Sequence, residues 1–500
     1  MVSAGVLLSR VLGYARDAAI LGLLGVSEEA ALYTNAFSLP DLLFFLMAGG
    51  YLSITLVPLL SRHLEHGDHL EAQRTFTAVF RVVAIGLGAL TAITLAAAGP
   101  ITKVMFSQVA EQERLTSLTR IALMSQIFFG LGALLMAAQY ARRRFLIPTL
   151  APLAYNLSII AGGLIGWAMG DPSPESFLWG GLVGAALGNF GLQWFGARRE
   201  GVTLVRNVPW RHPAVREYLT LALPLMIGVS AVALDEQWPR WFGQFAGDGA
   251  EAALAAARRL NMLPVGMIAQ AAGVAAYPFL AGLAAAGKGA ELGATVARSV
   301  RSATAIGGLA AALVAGTTQP IVTVAYERGE VDPAATILLA GLLFIYSISI
   351  PFWAAHLIYT RGFYALQRMW SPVVVGSAIT AVTAPTLWVL VNRYGERGVA
   401  LGSTIGVVVY TIAIAATWHR SASPGHGVAM LAHAAKVGLA ALPAGLGAHW
   451  VATGLPALHP LAALVVASLA GTAVYLAAAR LLHIGEVTEA LRRASNLVRR

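Results

Sequence analysis

The sequence predicts an all-α polytopic membrane protein with about 14 transmembrane helices. Of its 500 residues, 57% are hydrophobic and only 12% are charged, whereas soluble domains carry about 25% charged residues. Apolar runs of about 20 residues, long enough to cross a bilayer, recur from end to end. Lys and Arg collect between these runs, so the net charge of +10 indicates membrane topology rather than nucleic-acid binding.

The spans follow from the apolar runs in chain order, with ends that are soft by several residues. The first run is interrupted by Arg10, Arg16 and Asp17 and is followed by no small-residue cleavage site, so it is predicted to be a span and not a signal peptide. Met1 opens directly into it, as expected of a truncated start. The spans lie near 1–25, 32–61, 76–98, 116–141, 146–169, 176–197, 215–238, 252–282, 293–317, 335–360, 371–392, 397–418, 428–452 and 457–482.

Orientation follows from the Lys and Arg residues in the short connections, which favour the cytoplasm. With the N-terminus inside, arginine groups such as 142–144 and 198–199 fall in cytoplasmic connections, and the outer connections hold few basic residues. An even number of spans returns the C-terminus to the cytoplasm. There the tail 485–500 is predicted to lie on anionic headgroups or to act only as a topology anchor.

An internal repeat divides the chain into two lobes. Pro58, Gly67, Glu71, Arg81 and Pro100 each have a counterpart of the same type 220 positions later, and Tyr140 and Pro148 have one 224 positions later. We therefore predict an N-lobe at 1–206, a C-lobe at 207–422 and two extra helices at 423–484. The lobes are expected to be pseudo-symmetric six-helix units.

Charged residues within spans are costly and usually face a cavity or a partner. In span 1, Arg10, Gly13 and Asp17 share one helix face, and Arg16 flanks it. This face is predicted to line a cavity. The alternative is structural: Arg10 snorkels to the interface, and Arg16 forms an ion pair with Asp17.

Span 8 contains adjacent Arg258 and Arg259, which point in directions that differ by about 100°. At least one is therefore expected to face inward, unless the two form an interfacial pair. If Arg16 and Arg259 meet between the lobes, they form a positive cavity with Asp17 as the orienting partner. Guanidinium groups of this kind suit a diphosphate.

A cation could bind near the outer end of span 7, where Asp235 and Glu236 precede "WPRW". The same carboxylates could instead simply reach water. The chain has no cysteine, no P-loop, no GxSxG and no HExxH, so no sequence feature supports catalysis. With no nucleotide site, any work that the protein does must draw on a gradient or on substrate flow.

Several motifs in order resemble the MurJ (MviN) family of lipid II flippases, which belongs to the MOP exporter superfamily. They include "SRVLGYARDAAILGLLG", "RRRFLIPTLAPLAYN", "ARRLNMLPVGMIAQAAGVAAYPFLA" and "GERGVALGSTIG". The resemblance implies a MOP/MATE-like fold in which alternating access moves lipid II to the outer leaflet for cell-wall synthesis. It also implies that spans 13 and 14 form a groove for the lipid tail.

The resemblance assigns substrate contacts to particular residues. Arg10, Arg16 and Asp17 fall on the family's span 1 charges, and Arg259 falls on its span 8 arginine. These residues are expected to contact the headgroup and diphosphate. Asn35, which replaces the aspartate that opens the family's "DAF", and Arg258 are further substrate-binding candidates.

The chain also departs from the family pattern. Phe44 and Phe45 replace two arginines, and Gly49 replaces a glutamate. Asp235 resembles a sodium-binding acid of some members, but Leu387 stands where an asparagine would complete that site. The missing arginines best support one alternative, another MOP-type exporter of glycan lipids or drugs. Two further alternatives are a membrane-embedded glycosyltransferase or acyltransferase, for which the sequence offers no convincing reactive His or acidic pair, and a non-transporting scaffold.

The resemblance sets the expected partners and location. The partners are lipid II, membrane lipids and the cell-wall synthesis machinery, without nucleic acid. The location is the bacterial cytoplasmic membrane, with both termini in the cytoplasm. No cofactor or metal is expected, and the driving force is either Na⁺ or the membrane potential.

Overall fold

The computed structural model describes residues 2–47, 51–222, 237–422, 427–455 and 458–487. Within these ranges the chain is helical and contains no strand, which confirms the all-α class. Contacts divide it into two compact units. Unit 1 comprises Met1–Gln244 and Asp248–Ala252, and unit 2 comprises Phe245–Gly247 and Ala253–Arg500. The lobe boundaries at 206 and 422 remain predictions.

In unit 1, α5 packs against α6 and α7 against α8, which are neighbours in sequence, while α1 packs against the distant α7. Residues 213–222 are also helical. The helices are α1 Val2–Leu24, α2 Glu28–Ala36, α3 Ser38–Met47, α4 Tyr51–Glu65, α5 His69–Met105, α6 Gln112–Ala141, α7 Leu146–Ala168, α8 Pro174–Gly184, a π-helix Ala185–Leu192, α9 Gln193–Arg199 and α10 Trp238–Gly243.

The main segment of unit 2 begins at Ala253, within the long helix that starts at Ala250. Its central helix, α12, packs against α15 and α17, and α17 packs along α18. The helices are α11 Ala250–Ala285, α12 Gly289–Gly316, α13 Thr318–Tyr326, α14 Pro333–Ser347, α15 Ile350–Ala365, α16 Trp370–Ser421, α17 Gly427–Gly454 and α18 Pro460–Leu481.

Seven described helices are long and apolar enough to cross a membrane, and an eighth crossing is possible if the bent pair α14 and α15 forms one span. Helix α16 has 52 residues, about 78 Å at 1.5 Å per residue, which is far longer than one crossing needs. Its backbone breaks at Gly395, with φ 55° and ψ −136°. This break separates the predicted spans 371–392 and 397–418. The count of fourteen remains a prediction.

Two predicted spans are broken helices. Span 32–61 contains an interruption at Phe37, between α2 and α3. Span 335–360 bends by 43° between α14 and α15, where Pro351 follows the break and cannot donate a backbone hydrogen bond. Hydropathy alone does not reveal such breaks, because both halves remain apolar.

The internal repeat is visible in the backbone as well as in the sequence. Gly67 and Gly287, 220 positions apart, end helices with φ of 74° and 68°. Arg143 and Gln367, 224 positions apart, do so with φ of 58° and 57°. In each case the following amide bonds to the carbonyl five residues before it, at 2.9 to 3.0 Å. The two offsets therefore mark the same C-terminal helix cap in both halves of the chain.

Candidate functional site

A buried arginine on α1 is the centre of the candidate site in unit 1. Arg16 donates to Asp17 Oδ1 from Nε at 3.0 Å and from Nη2 at 2.8 Å. Its side chain is 17% exposed, and that of Asp17 is 12% exposed. A buried guanidinium without a carboxylate partner would be strongly destabilising. Asp17 therefore compensates the charge of Arg16. This ion pair fits both the orienting role and the structural alternative, so the orienting role stays a prediction.

A second partner comes from α7. Arg16 Nη1 donates to Asn156 Oδ1 at 3.1 Å, and a Cβ at Gly13 would lie 3.9 Å from Asn156 Nδ2. The α1 backbone at Gly13 therefore lies beside Asn156, at a distance that a Cβ would bridge by ordinary van der Waals contact. Asn156 was not predicted as a site residue. The sequence signal that could have identified it is an amide side chain inside an apolar span.

The other span 1 candidate is less enclosed. Arg10 lies on α1 nearly two turns before Arg16 and is partly buried. The structure therefore places it on the same helix as the Arg16–Asp17 pair, as predicted. Whether Arg10 contacts a headgroup or snorkels to the interface remains a prediction.

Asn35 lies at the end of α2 in a buried polar contact. It is 1% exposed, and its Nδ2 donates to Glu251 Oε1 at 3.1 Å. Glu251 is 4% exposed and belongs to the short segment of unit 1 that begins α11. The sequence analysis assigned no role to Glu251. Asn35 is therefore a partner of a buried carboxylate, and its contact with substrate stays a prediction.

The two adjacent arginines of span 8 lie on α11 in unit 2. Arg258 is partly buried, and Arg259 is exposed, so they point in different directions as their spacing requires. The predicted meeting of Arg16 and Arg259 remains a prediction, as do the substrate contacts of Arg258 and Arg259.

Two of the residues that depart from the family pattern, Phe44 and Leu387, pack against apolar neighbours. Phe44 on α3 makes an edge-on contact with Phe129, with ring centroids 6.1 Å apart. Leu387 is fully buried, and a Cβ at Gly402 would lie 2.4 Å from its Cδ2. Each residue fills its place with hydrocarbon where the family has a polar side chain.

Asp235 and Glu236 lie outside the described residues, as do Gly49 and the side chain of Phe45. Among the residues that the structure describes, no group of three or more His, Cys, Asp or Glu side chains could hold a metal ion.

Unit 2 contains a long apolar cavity of about 1440 Å³, which we call the groove. Its walls come from α12 to α18, mainly from Ala, Gly, Leu and Thr residues. The histidines His419, His433 and His449 are also part of its lining. Such a lining suits a long hydrocarbon ligand, because burying hydrocarbon there needs no polar partners.

A charged cluster adjoins the groove at His433, which is part of the lining. Arg301 on α12 donates from Nε to Glu486 Oε1 at 2.6 Å, and His433 Nε2 lies 3.0 Å from the Arg301 carbonyl oxygen. Burial raises the pKa of the Glu486 carboxyl, but the hydrogen bond from Arg301, a backbone hydrogen bond and the nearby charges of His433 and Arg301 together outweigh burial, so the net pKa is lowered. Glu486 is therefore held as a carboxylate.

Comparison with known proteins places the chain in a family. The family described as "Lipid II flippase MurJ" matches residues 20–459. A probable lipid II flippase MurJ of Rhizobium meliloti is 26% identical over 491 residues, covering 94% of this chain and 91% of that protein. The lipid II flippase MurJ of Burkholderia cenocepacia is 26% identical over 419 residues, covering 82% and 81%.

Solved structures agree with the fold. A lipid II flippase MurJ in an inward closed conformation superposes with a TM-score of 0.79 at 19% identity, covering 96% of this chain and 98% of that one. An inward-facing multidrug resistance MATE transporter of the MOP superfamily gives 0.66 at 16% identity, covering 84% and 95%. The MOP/MATE-like fold is thereby confirmed. With a family match that extends over most of its length, this chain belongs to the lipid II flippase MurJ family, a family of transporters rather than enzymes.

Proposed function

We propose that this protein is a flippase that moves lipid II from the cytoplasmic to the outer leaflet of the bacterial cytoplasmic membrane. The observation that carries the proposal is the buried Arg16–Asp17–Asn156 cluster in a chain of this family. A guanidinium that a carboxylate and an amide hold in place can offer its remaining N–H groups to a diphosphate.

The groove supports the second half of the proposal. Lipid II combines an anionic diphosphate with a long hydrocarbon chain, so its carrier needs one charged site and one apolar surface. Arg16 supplies the former in unit 1, and the groove supplies the latter in unit 2. We propose that Arg10, Asn35, Arg258 and Arg259 also contact the headgroup during an alternating-access cycle.

Other features of the proposal concern location and energy. The arginine-rich connections support cytoplasmic N- and C-termini. The driving force is proposed to be the membrane potential or Na⁺ bound at Asp235. These differ experimentally, because only the second predicts that replacing Na⁺ by choline stops transport at constant membrane potential. The cell-wall synthesis machinery is the proposed protein partner.

Complementation provides the test. A strain depleted of its own lipid II flippase should grow when it carries this chain, and labelled lipid II should become exposed outside. Arg16→Ala, Asn156→Ala and Arg259→Ala should abolish or strongly impair rescue at matched expression. Arg480→Ala should not, because Arg480 is exposed at the end of α18. Normal growth of the Arg16→Ala strain would refute the role of this arginine.

A second candidate is another MOP-type exporter, for a different glycan lipid or a drug. It is favoured by Phe44, which packs on Phe129 where the family has an arginine, so the cavity carries less positive charge. Failure of the folded and inserted protein to rescue growth, together with binding of a different lipid-linked glycan, would support this alternative.

A further inference from the structure

A segment of unit 1 that is predicted to be cytoplasmic folds back along α5. Its first contact is from Gln73 Nε2 to the Gly201 carbonyl oxygen at 3.1 Å. One turn later the Val205 amide donates to Thr77 Oγ1 at 3.0 Å. The contacts at positions 73 and 77 of α5 show that residues 201–205 run alongside the helix, from its start toward the membrane.

The segment turns at Arg81, one further turn along α5. Arg81 Nη1 donates to the Val208 carbonyl oxygen at 3.2 Å, and its guanidinium lies 4.6 Å from the ring centroid of Trp210. The segment then returns, since His212 Nε2 lies 3.1 Å from Glu71 Oε1. Residues 201–212 therefore run along α5 as far as Arg81 and then back to Glu71. We call this segment the α5 strap.

The tip of the α5 strap lies at the edge of the hydrocarbon region. Residues 82–102 of α5 contain no charged side chain, and a helix of that length spans about 30 Å, the thickness of a bilayer core. Arg81 is the last charged residue before this stretch. Trp210, which Arg81 contacts, thus sits at the depth where tryptophan is enriched in membrane proteins.

The two sides of the α5 strap differ in character. Val202 and Val208 point inward and are 4% and 5% exposed. Leu204 and Trp210 point outward and are 43% and 62% exposed. The outward side also carries two exposed arginines, Arg206 and Arg211. An exposed surface that combines arginine with apolar and aromatic residues matches the boundary between headgroups and acyl chains.

The carboxylates around the α5 strap have other partners. Glu200 accepts from Arg144 at 3.0 Å, and Glu71 faces His212. Glu217 accepts from Arg62 at 2.8 Å. The positive charge on the outward side is therefore not cancelled by these acids, and it is complementary to an anionic surface.

We propose that the α5 strap binds the headgroups of anionic phospholipids in the cytoplasmic leaflet through Arg206 and Arg211, with Trp210 and Leu204 inserted at the boundary. The ligand class is a bilayer phospholipid with a net negative headgroup, such as phosphatidylglycerol. Binding would fix the height of α5 in the membrane, because the strap follows that helix for two turns.

A site-specific probe can test this, since the chain contains no cysteine. Leu204→Cys in the full-length protein is labelled with an environment-sensitive fluorophore and placed in phosphatidylcholine nanodiscs with increasing phosphatidylglycerol. We expect a blue shift that grows with the phosphatidylglycerol fraction. Each basic residue near an anionic leaflet strengthens binding by about fivefold. Arg206→Glu/Arg211→Glu should therefore weaken the apparent affinity for phosphatidylglycerol, read from the blue shift, by about 25-fold or more.

The matched control is Arg393→Glu/Arg397→Glu, which makes the same charge change at two exposed residues of unit 2. This control should keep the full response. The proposal is overturned if both double variants respond alike. It is also overturned if inorganic phosphate in pure phosphatidylcholine nanodiscs reproduces the shift, since the site would then bind free anions. A second readout is the phosphatidylglycerol that co-purifies per protein, which should fall only in the Arg206/Arg211 variant.

Discussion

Helices α5 and α12 occupy the same place in the two repeats but have different surroundings. Gly88 on α5 and Gly308 on α12 are 220 positions apart. A Cβ at Gly88 would have nothing within 4 Å, whereas one at Gly308 would lie 2.3 Å from Val437 Cγ1 on α17. Because both repeats carry a glycine here, the difference comes from α17, the helix packed on α12.

The arginines of the same two helices show a parallel contrast. Arg81 contacts a backbone carbonyl and an aromatic ring in the α5 strap, while Arg301 forms an ion pair with Glu486. Arg81 therefore anchors the α5 strap, which follows α9, and Arg301 anchors the segment that follows α18. Equivalent residues acquire neutral or charged partners according to which chain segment reaches them, and this difference can be tested by substitution.

The largest effect is expected from Gly316→Leu on α12. A Cβ at Gly316 would lie 2.4 Å from the Gly445 carbonyl oxygen, so a leucine must push α17 away from α12. Overpacking of this kind costs about 3 kcal/mol. Thermal unfolding of the purified protein should show a clear loss of stability. The control, Ala96→Leu, lies at the equivalent, exposed position on α5 and should leave the unfolding temperature unchanged; an equal loss in both variants would contradict the comparison.

Next in size is the loss from Arg301→Ala. It leaves Glu486, whose side chain is 17% exposed, without its guanidinium partner, at a cost of about 1 to 3 kcal/mol. Arg81→Ala removes one hydrogen bond to a carbonyl and a ring contact, for about 1 kcal/mol. Chemical unfolding of both variants should rank them in this order. The reverse order would mean that the α5 strap holds its helix more firmly than the Glu486 cluster holds α12.

A smaller effect should appear in the pH dependence. The folded-state pKa of Glu486 is lowered, so its contribution to stability is present above the unfolded value of about 4.3 and is lost as pH falls through the folded value. Glu486→Gln should therefore destabilise the protein at pH 7 and converge with the parent below about pH 4. Unfolding curves that stay parallel across this range would show that the ion pair does not contribute.

The smallest effect on stability, but a large one on transport, is expected from Gly438→Phe. Gly438 lines the groove on α17, and a Cβ there would have nothing within 4 Å, so phenylalanine can enter the groove without disturbing the packing. Lipid II exposure in the complementation strain should fall while the unfolding temperature is unchanged. Leu469→Phe, at an exposed position of α18, is the control and should transport normally.

The candidate site was predictable only where its partners are close in sequence. Arg16 and Asp17 are adjacent, so a prediction that paired them could be made from the helix geometry, and the ion pair is present. Asn156 is 140 residues from Arg16, and Glu251 is 216 residues from Asn35. Helical periodicity carries no information about contacts at such separations, so these two partners were missed.

The sequence by itself determined the all-helical membrane class, the repeat and its helix caps, because these depend on composition, short-range pattern and residues such as Gly67 and Gly287. The tertiary structure decided what covers each helix. It placed α17 against Gly308, opened the groove in unit 2 and folded the α5 strap back onto Arg81. Apolar helix faces look alike in sequence whether lipid or protein covers them, since both environments are hydrocarbon.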